Sequence, residues 1–232
     1  KSLRLLDYCF YNSQLTSLKI TASLLVDLNA DAFTGCKNLS DISFYNSNII
    51  SIEYDHFSWP ENIKSISFIN VGKVTLGNGT LAKITSLKKV SIINASELYI
   101  GKKCFSSSEL QSIELVSKSI FFKESFAKKC ASLTDVNIQS ENEINIPESS
   151  FLMCKSITNI LIKTKSNLII PQNFMSNLTK LEKVVISGKV VEFGDFCFRN
   201  CMSLKNIEII DSGNVKLGEN EITNCIGLFK IG

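Results

Sequence analysis

The sequence predicts a β-rich solenoid of about ten stacked repeats, and two recurring patterns support this fold class. The first pattern is L-x-x-I-x-I, with any aliphatic residue or Phe at the apolar places, and its first residue recurs every 23 or 24 residues. The second is an apolar pair that follows 10 to 13 residues later. A fixed period of this length is typical of chains that stack one small unit on the next. We call the first residue of each L-x-x-I-x-I pattern the anchor; the anchors are Leu15, Leu39, Ile63, Leu87, Leu110, Leu133, Ile157, Leu181, Leu204 and Leu228.

The first strand of each repeat is predicted from the residues three and five positions after the anchor, which are apolar throughout. Alternation with a period of two is the pattern of a strand that buries one face. A second short strand is predicted from the later apolar pair. These pairs are Val26/Leu28, Ile50/Ile52, Val74/Leu76, Leu98/Ile100, Ile120/Phe122, Ile144/Ile146, Leu168/Ile170, Val191/Phe193 and Val215/Leu217.

A large apolar residue closes each unit and is expected to fill the interior of the coil. These residues are Phe33, Phe57, Leu81, Phe105, Phe126, Phe151, Phe174 and Phe198. Three residues before the anchor, Cys alternates with Ile, Leu and Pro; the cysteines of this column are Cys36, Cys130, Cys154, Cys201 and Cys225. A position shared by Cys, Ile and Leu favours a small buried hydrophobe, and a free thiol behaves as one. The alternative is a cross-repeat disulfide, such as Cys130 with Cys154 or Cys201 with Cys225, which one strand spacing permits.

Together, these columns resemble the BspA-like, or Treponema-type, leucine-rich-repeat family. The resemblance extends from about Leu5 to Ile231. It implies a right-handed coil, with a parallel β-sheet on the concave face and short strands or extended segments on the other. The whole of residues 1–232 is then one solenoid domain, and we expect it to be a fragment of a longer protein.

The resemblance also implies a function. Members of the family are largely cell-surface or secreted proteins that attach to host proteins, matrix or other microbes. We therefore expect a non-enzymatic module that binds a protein ligand, such as a host surface or matrix protein, or a glycan. The alternative is a cytoplasmic scaffold or signalling adaptor, which the column of reduced cysteines favours. Unpaired edge strands at the two ends would also allow end-to-end self-association.

The outward residues of the first strands are the candidate ligand contacts. Leu161 and Val185 are neighbouring apolar residues in an otherwise polar column, and exposed apolar residues on a rigid scaffold often mark interaction sites. Asn159, Lys163 and Lys183 are expected to surround them. The alternative interpretation is that two β-forming residues are merely tolerated on the sheet surface.

A second candidate is the serine ladder of Ser43, Ser67 and Ser91 in the same column. These hydroxyls could bond a ligand, or small polar residues could simply relieve crowding on a concave face. Two positions further on, another column contains Tyr45, Ile69, Ile93 and Val116 in succession. The sequence leaves the exposure of this column undecided.

Composition and motifs argue against several classes of function. The net charge is +3 and no run of five or more like charges occurs, so nucleic acid is not an expected partner. No stretch of about 18 apolar residues occurs, so no membrane insertion is expected within this segment. The single histidine, His56, and the lack of a phosphate-binding glycine motif predict no catalytic residue, no metal site and no cofactor. Among the N-x-[ST] sequences, Asn78 and Asn94 are the predicted glycosylation sites if the protein is secreted by a eukaryote.

Overall fold

A computed structural model describes residues 1–53, 57–220, 222–227 and 230–231, and shows two parallel β-ladders that run side by side along a solenoid. No helix occurs in these residues. The anchor Leu228 and the lone His56 lie outside them. The first sheet contains β2 (Ser17–Thr21), β4 (Asp41–Tyr45), β6 (Ser65–Ile69), the start of β8 (Lys89–Ile100), the start of β9 (Ser112–Phe122), β10 (Asp135–Ser140), β12 (Asn159–Thr164), β14 (Lys183–Ser187), β16 (Asn206–Ile210) and β18 (Lys230–Ile231).

The second sheet is formed by the later strand of each repeat. It contains β1 (Leu3–Leu5), β3 (Leu25–Leu28), β5 (Ile49–Ile52), β7 (Lys73–Leu76), the ends of β8 and β9, β11 (Ile144–Asn145), β13 (Leu168–Ile170), β15 (Val190–Phe193) and β17 (Asn214–Lys216). In each sheet, every strand pairs in parallel with the equivalent strand of the next repeat, as Val136 of β10 does with Ile160 of β12. The predicted parallel solenoid of about ten repeats is confirmed.

The core lies between the two sheets and is formed by the predicted columns. The anchors from Leu39 to Leu204 are buried, because each packs against its equivalents one repeat before and after. Leu15 is the exception, with 38% of its surface exposed. The strand that follows it, β2, pairs in the first sheet only with β4, so no strand covers the other side of this repeat in the described residues.

The closing residues fill the interior, as predicted, and the aromatic ones from Phe105 to Phe174 contact one another in a row. Successive rings meet edge to face or tilted, with centroids 5.4 Å apart for Phe126 and Phe151 and 5.3 Å apart for Phe151 and Phe174. These geometries suit the ring quadrupole and add stabilisation beyond burial. Since each ring from Phe105 to Phe174 contacts the next, this row couples the stability of those adjacent repeats.

The cysteine column is buried as predicted, apart from the half-buried Cys225, and its members are free thiols. Each thiol donates to a backbone carbonyl of the preceding repeat; Cys130 donates to Phe105 O at 3.0 Å and Cys154 to Ala127 O at 3.0 Å. Ile or Leu at this place would leave such a carbonyl without that donor. The cross-repeat disulfides are therefore not formed in this structure.

The turn segments before the cysteine column close each repeat on a third side. The residue directly before the column has a left-handed backbone, with φ of 62° at Lys83, 63° at Lys129 and 68° at Met153. This conformation points the amide along the solenoid axis, so that Lys83 N donates to Ser106 O of the next repeat at 2.9 Å. These bonds hold successive turns in register where no sheet exists.

Candidate functional site

The structure brings the predicted Leu161 patch together on the outward face of the first sheet. Leu161 of β12 pairs directly with Val185 of β14, and Asn159 pairs with Lys183 two residues earlier. Lys163 follows at the end of β12, opposite Ser187. All five predicted residues therefore share one face.

Little apolar surface is free in this patch, however. Leu161 is half-buried, and only 9% of Val185 is exposed. Val185 lies between Leu161 and Glu208, and Lys183 Nζ contacts Glu208 Oε1 at 3.1 Å. The expectation that Val185 is an exposed contact is not met, because side chains of the neighbouring strands cover it.

The serine ladder is largely satisfied by its own hydrogen bonds. Ser67 Oγ donates to Ser43 Oγ at 2.8 Å, and Ser91 Oγ donates to Glu114 Oε2 at 2.9 Å. Ser91 is also buried. These bonds favour the interpretation that the small polar side chains pack the sheet surface. The ladder then forms a polar border along that surface.

A broader apolar surface lies beside the ladder, in the column whose exposure the sequence left undecided. Four residues of this column are adjacent in register across β4, β6, β8 and β9, and we call them the outward stripe: Tyr45, Ile69, Ile93 and Val116. All four side chains are half-buried. A pattern in the sequence indicates this surface. Each stripe residue directly follows an inward-facing one, such as Ile93 after Ile92, and two consecutive apolar residues in a strand must face opposite sides.

The two ends of the outward stripe have different surroundings. At one end, Lys19 Nζ lies 4.4 Å from the centroid of the Tyr45 ring. At the other end, Val116 borders a groove of about 480 Å³ whose lining includes Lys118, Gln139 and Lys163. The groove brings Lys163 of the predicted patch to the edge of the same surface. The stripe, the ladder and the groove together form an apolar band with a polar rim.

The two predicted glycosylation sites differ in what their side chains do. Asn94 Nδ2, the atom to which a glycan would be attached, donates to Asn70 Oδ1 at 3.2 Å, and Asn70 in turn donates to Asn46. Asn78 accepts at Oδ1 from Lys102 N at 2.9 Å, which leaves Nδ2 without a hydrogen bond among the described residues. Both asparagines are exposed. Asn78 is the better placed of the two.

Burial raises the pKa of two interior thiols, Cys201 and Cys104. Burial, reinforced by the neighbouring Cys225, raises the pKa of Cys201 to about 12, and burial also raises the pKa of Cys104 far above its usual range. Such thiols stay protonated at neutral pH and are poor nucleophiles. In the described part of the chain, no group of three or more His, Cys, Asp and Glu side chains could hold a metal ion. No helix there is long and apolar enough to cross a membrane.

Comparison with known proteins agrees with the repeat pattern. The family model of the BspA type leucine rich repeat region matches residues 4–134 and 119–231, in six copies. A crystal structure of a leucine-rich repeat protein from Bacteroides ovatus is similar over 99% of this chain and 70% of that chain, with 18% identity and a TM-score of 0.31. No curated protein matches the sequence.

Proposed function

The chain belongs to the BspA-type leucine-rich-repeat family, and on that premise we propose that it is the protein-binding module of an adhesin-type protein, secreted or held at the cell surface. The module attaches to a host or partner protein and catalyses no reaction itself. Leucine-rich-repeat solenoids present long rigid surfaces, and such surfaces suit protein ligands better than metabolites.

The outward stripe is the observation that carries this proposal. Four half-buried apolar side chains follow one another across four strands, which span roughly 14 Å at the usual strand spacing. A contiguous apolar surface of this kind, bordered by polar groups, is typical of protein interaction sites. Because the sheet fixes the backbone of all four residues, a partner would meet a preorganised surface.

The chemistry of the band describes the partner segment. The segment would lay apolar side chains along the outward stripe and polar groups against the serine ladder and Lys163. Leu161 would extend this contact beyond Lys163, whereas Val185 would support Leu161 from the neighbouring strand. At the rim, contacts contribute specificity more than affinity. The rim residues would be Ser43, Ser67, Asn159 and Lys183.

The test compares three variants in binding to immobilised extracellular-matrix proteins and to host-cell surfaces. Ile69→Ser/Ile93→Ser should abolish attachment, because it turns the centre of the outward stripe into a serine surface. Leu161→Ser should weaken attachment less. Ile169→Ser is the matched control, since Ile169 is an exposed isoleucine on the second sheet. Equal loss in the control, or full binding by the stripe variant, would refute the proposed surface.

Localisation is tested separately on intact source cells with a membrane-impermeant biotin reagent. Labelling of the protein, together with a glycan at Asn78 in a eukaryotic source, would support the adhesin. The second candidate is an intracellular scaffold or adaptor, and the buried free thiols of the cysteine column favour it, because reduced cysteines are typical of the cytosol. Absence of labelling in cells that express the protein would favour this second candidate.

A further inference from the structure

A cavity of about 830 Å³ lies on the turn side of the solenoid, away from the outward stripe. It crosses the turn segments of four successive repeats, from Phe57 to Lys129. Four lysines line it, Lys83, Lys103, Lys128 and Lys129, and we call it the lysine pocket. No acidic side chain of the described residues is part of its lining. The pocket thus concentrates four positive charges in a chain whose net charge is +3.

None of the four lysines forms an ion pair with an acidic group of the described residues; the only lysine beside them that does is Lys102, with Glu124. Adjacent repeats lie about 4.8 Å apart, which is well within the distance over which exposed charges interact at physiological ionic strength. The mutual repulsion of the four lysines raises the free energy of the unliganded protein. An anion bound between them would remove this repulsion.

The backbone holds the lysines at regular intervals. Lys83, Ser107 and Lys129 occupy the same place in three successive turns, and each donates its amide to the next repeat at 2.8–2.9 Å. Lys103 N is held in the same way by Glu124 O at 3.2 Å. A ligand whose negative groups repeat along a chain would therefore contact several lysines at once.

An aromatic wall completes the pocket. Trp59 is half-buried, its Nε1 donates to Thr80 O at 2.8 Å, and its ring stacks on Phe33 with an interplanar angle of 19°. These contacts fix the plane of the indole, while the side chain still lines the cavity. A flat aromatic surface beside cations suits a sugar ring, whose C–H face packs on the indole while its charged substituents reach the lysines. An extended acidic peptide has no such rigid flat face.

We propose that the lysine pocket binds a sulfated oligosaccharide. All four cations of the lining are lysines, which contact sulfate oxygens as point charges through three N–H donors each. Sulfate groups lie between Lys83, Lys103, Lys128 and Lys129, and one pyranose ring packs on Trp59. This site is separate from the outward stripe, so it stands independently of the proposed protein partner.

Trp59 is the only tryptophan of the chain, so its fluorescence reports on the pocket directly. The probe is a heparin-derived hexasaccharide, compared with the same hexasaccharide after removal of its sulfates and with a polyglutamate peptide of equal charge. We expect saturable change with the sulfated probe alone. Lys83→Glu/Lys129→Glu should weaken binding at least tenfold and lower the salt dependence, because each lysine–anion contact releases about one counterion.

The matched control is Lys155→Glu/Lys180→Glu, which makes the same change of charge at two exposed lysines outside the pocket. It should bind as the unmodified protein does, and so should Ile69→Ser/Ile93→Ser. Lys83→Gln/Lys129→Gln replaces the charge reversal if that variant does not fold. The proposal would be overturned if the control variant bound the sulfated probe as weakly as Lys83→Glu/Lys129→Glu does. It would also be overturned if polyglutamate or the desulfated probe bound as well as the sulfated one, or if calorimetry detected no binding of the sulfated probe.

Discussion

The row of closing aromatic residues should determine the stability of the central repeats, and Phe126 is the residue at which to test this. Its side chain is fully buried and contacts Phe105, Phe122 and Phe151, with ring centroids 6.5, 4.3 and 5.4 Å away. Phe126→Ala removes the burial of one large ring, which is worth about 1.5–3 kcal/mol. It also breaks three aromatic contacts and leaves a cavity, so the total should be about 4 kcal/mol, within the range for buried Phe→Ala changes.

Phe121→Ala is the matched control for this prediction. Phe121 lies only five residues earlier but faces outward from the second sheet, with 49% of its surface exposed and one stacked contact, to Tyr99 at 4.6 Å. Its removal should cost about 1 kcal/mol.

Urea unfolding of both variants, followed by far-UV circular dichroism, measures the difference. Because stacked repeats can unfold in parts, hydrogen exchange of the amides in β9 and β10 should confirm where the loss occurs. If the two variants differ by less than 1 kcal/mol, the row does not carry the stability assigned to it.

Three further predictions follow from the turns, the thiols and the ends of the solenoid. Met153 is exposed and has a φ of 68°. Because a left-handed backbone is unfavourable for side chains other than glycine, Met153→Gly should stabilise the protein by about 0.5–1 kcal/mol in a thermal unfolding assay. The control Met202→Gly, at an exposed turn residue without a positive φ, should destabilise the protein in the same assay. Because the pKa of Cys201 is raised, the thiol stays protonated to about pH 12 in the folded protein but loses its proton near pH 9 in the unfolded chain. The free energy of unfolding should therefore fall as the pH rises between these values. The fall should be smaller in Cys201→Val, which has no thiol to titrate. Leu217 is 69% exposed at one end and Leu6, next to the edge strand β1, is 55% exposed at the other, so the chain should associate end to end at high concentration. Sedimentation velocity should show less association for Leu217→Lys, and an unchanged profile would contradict this.

Much of the fold was predictable because it depends on a period. From the anchor Leu39 to the anchor Leu204, the anchor and the residues three and five positions later face inward, and this alternation is a local property of an extended chain. The same reasoning correctly placed the cysteine column in the interior. It also identified which residues face outward, including Leu161 and the serine ladder.

The degree of exposure on that outward face was not predictable, because it depends on neighbours one repeat away. Val185 faces outward as expected, yet Leu161 and Glu208 flank it on the adjacent strands and leave little of it accessible. Ile69 and Ile93 belong to a column whose exposure the sequence could not assign. Their position at the end of the strands leaves them half-buried and available.

By itself, the sequence determined the repeat length, the two strands of each repeat, the buried columns and the family, because each follows from residue type and spacing along one chain. Only the tertiary structure decided which outward side chains remain accessible and that Lys83, Lys103 and Lys129 share a pocket with Trp59. The physical reason lies in the turn segments. Their left-handed residues set where each side chain projects, and their amides bind carbonyls of the next repeat, about 23 residues away, so neither effect appears in a local pattern.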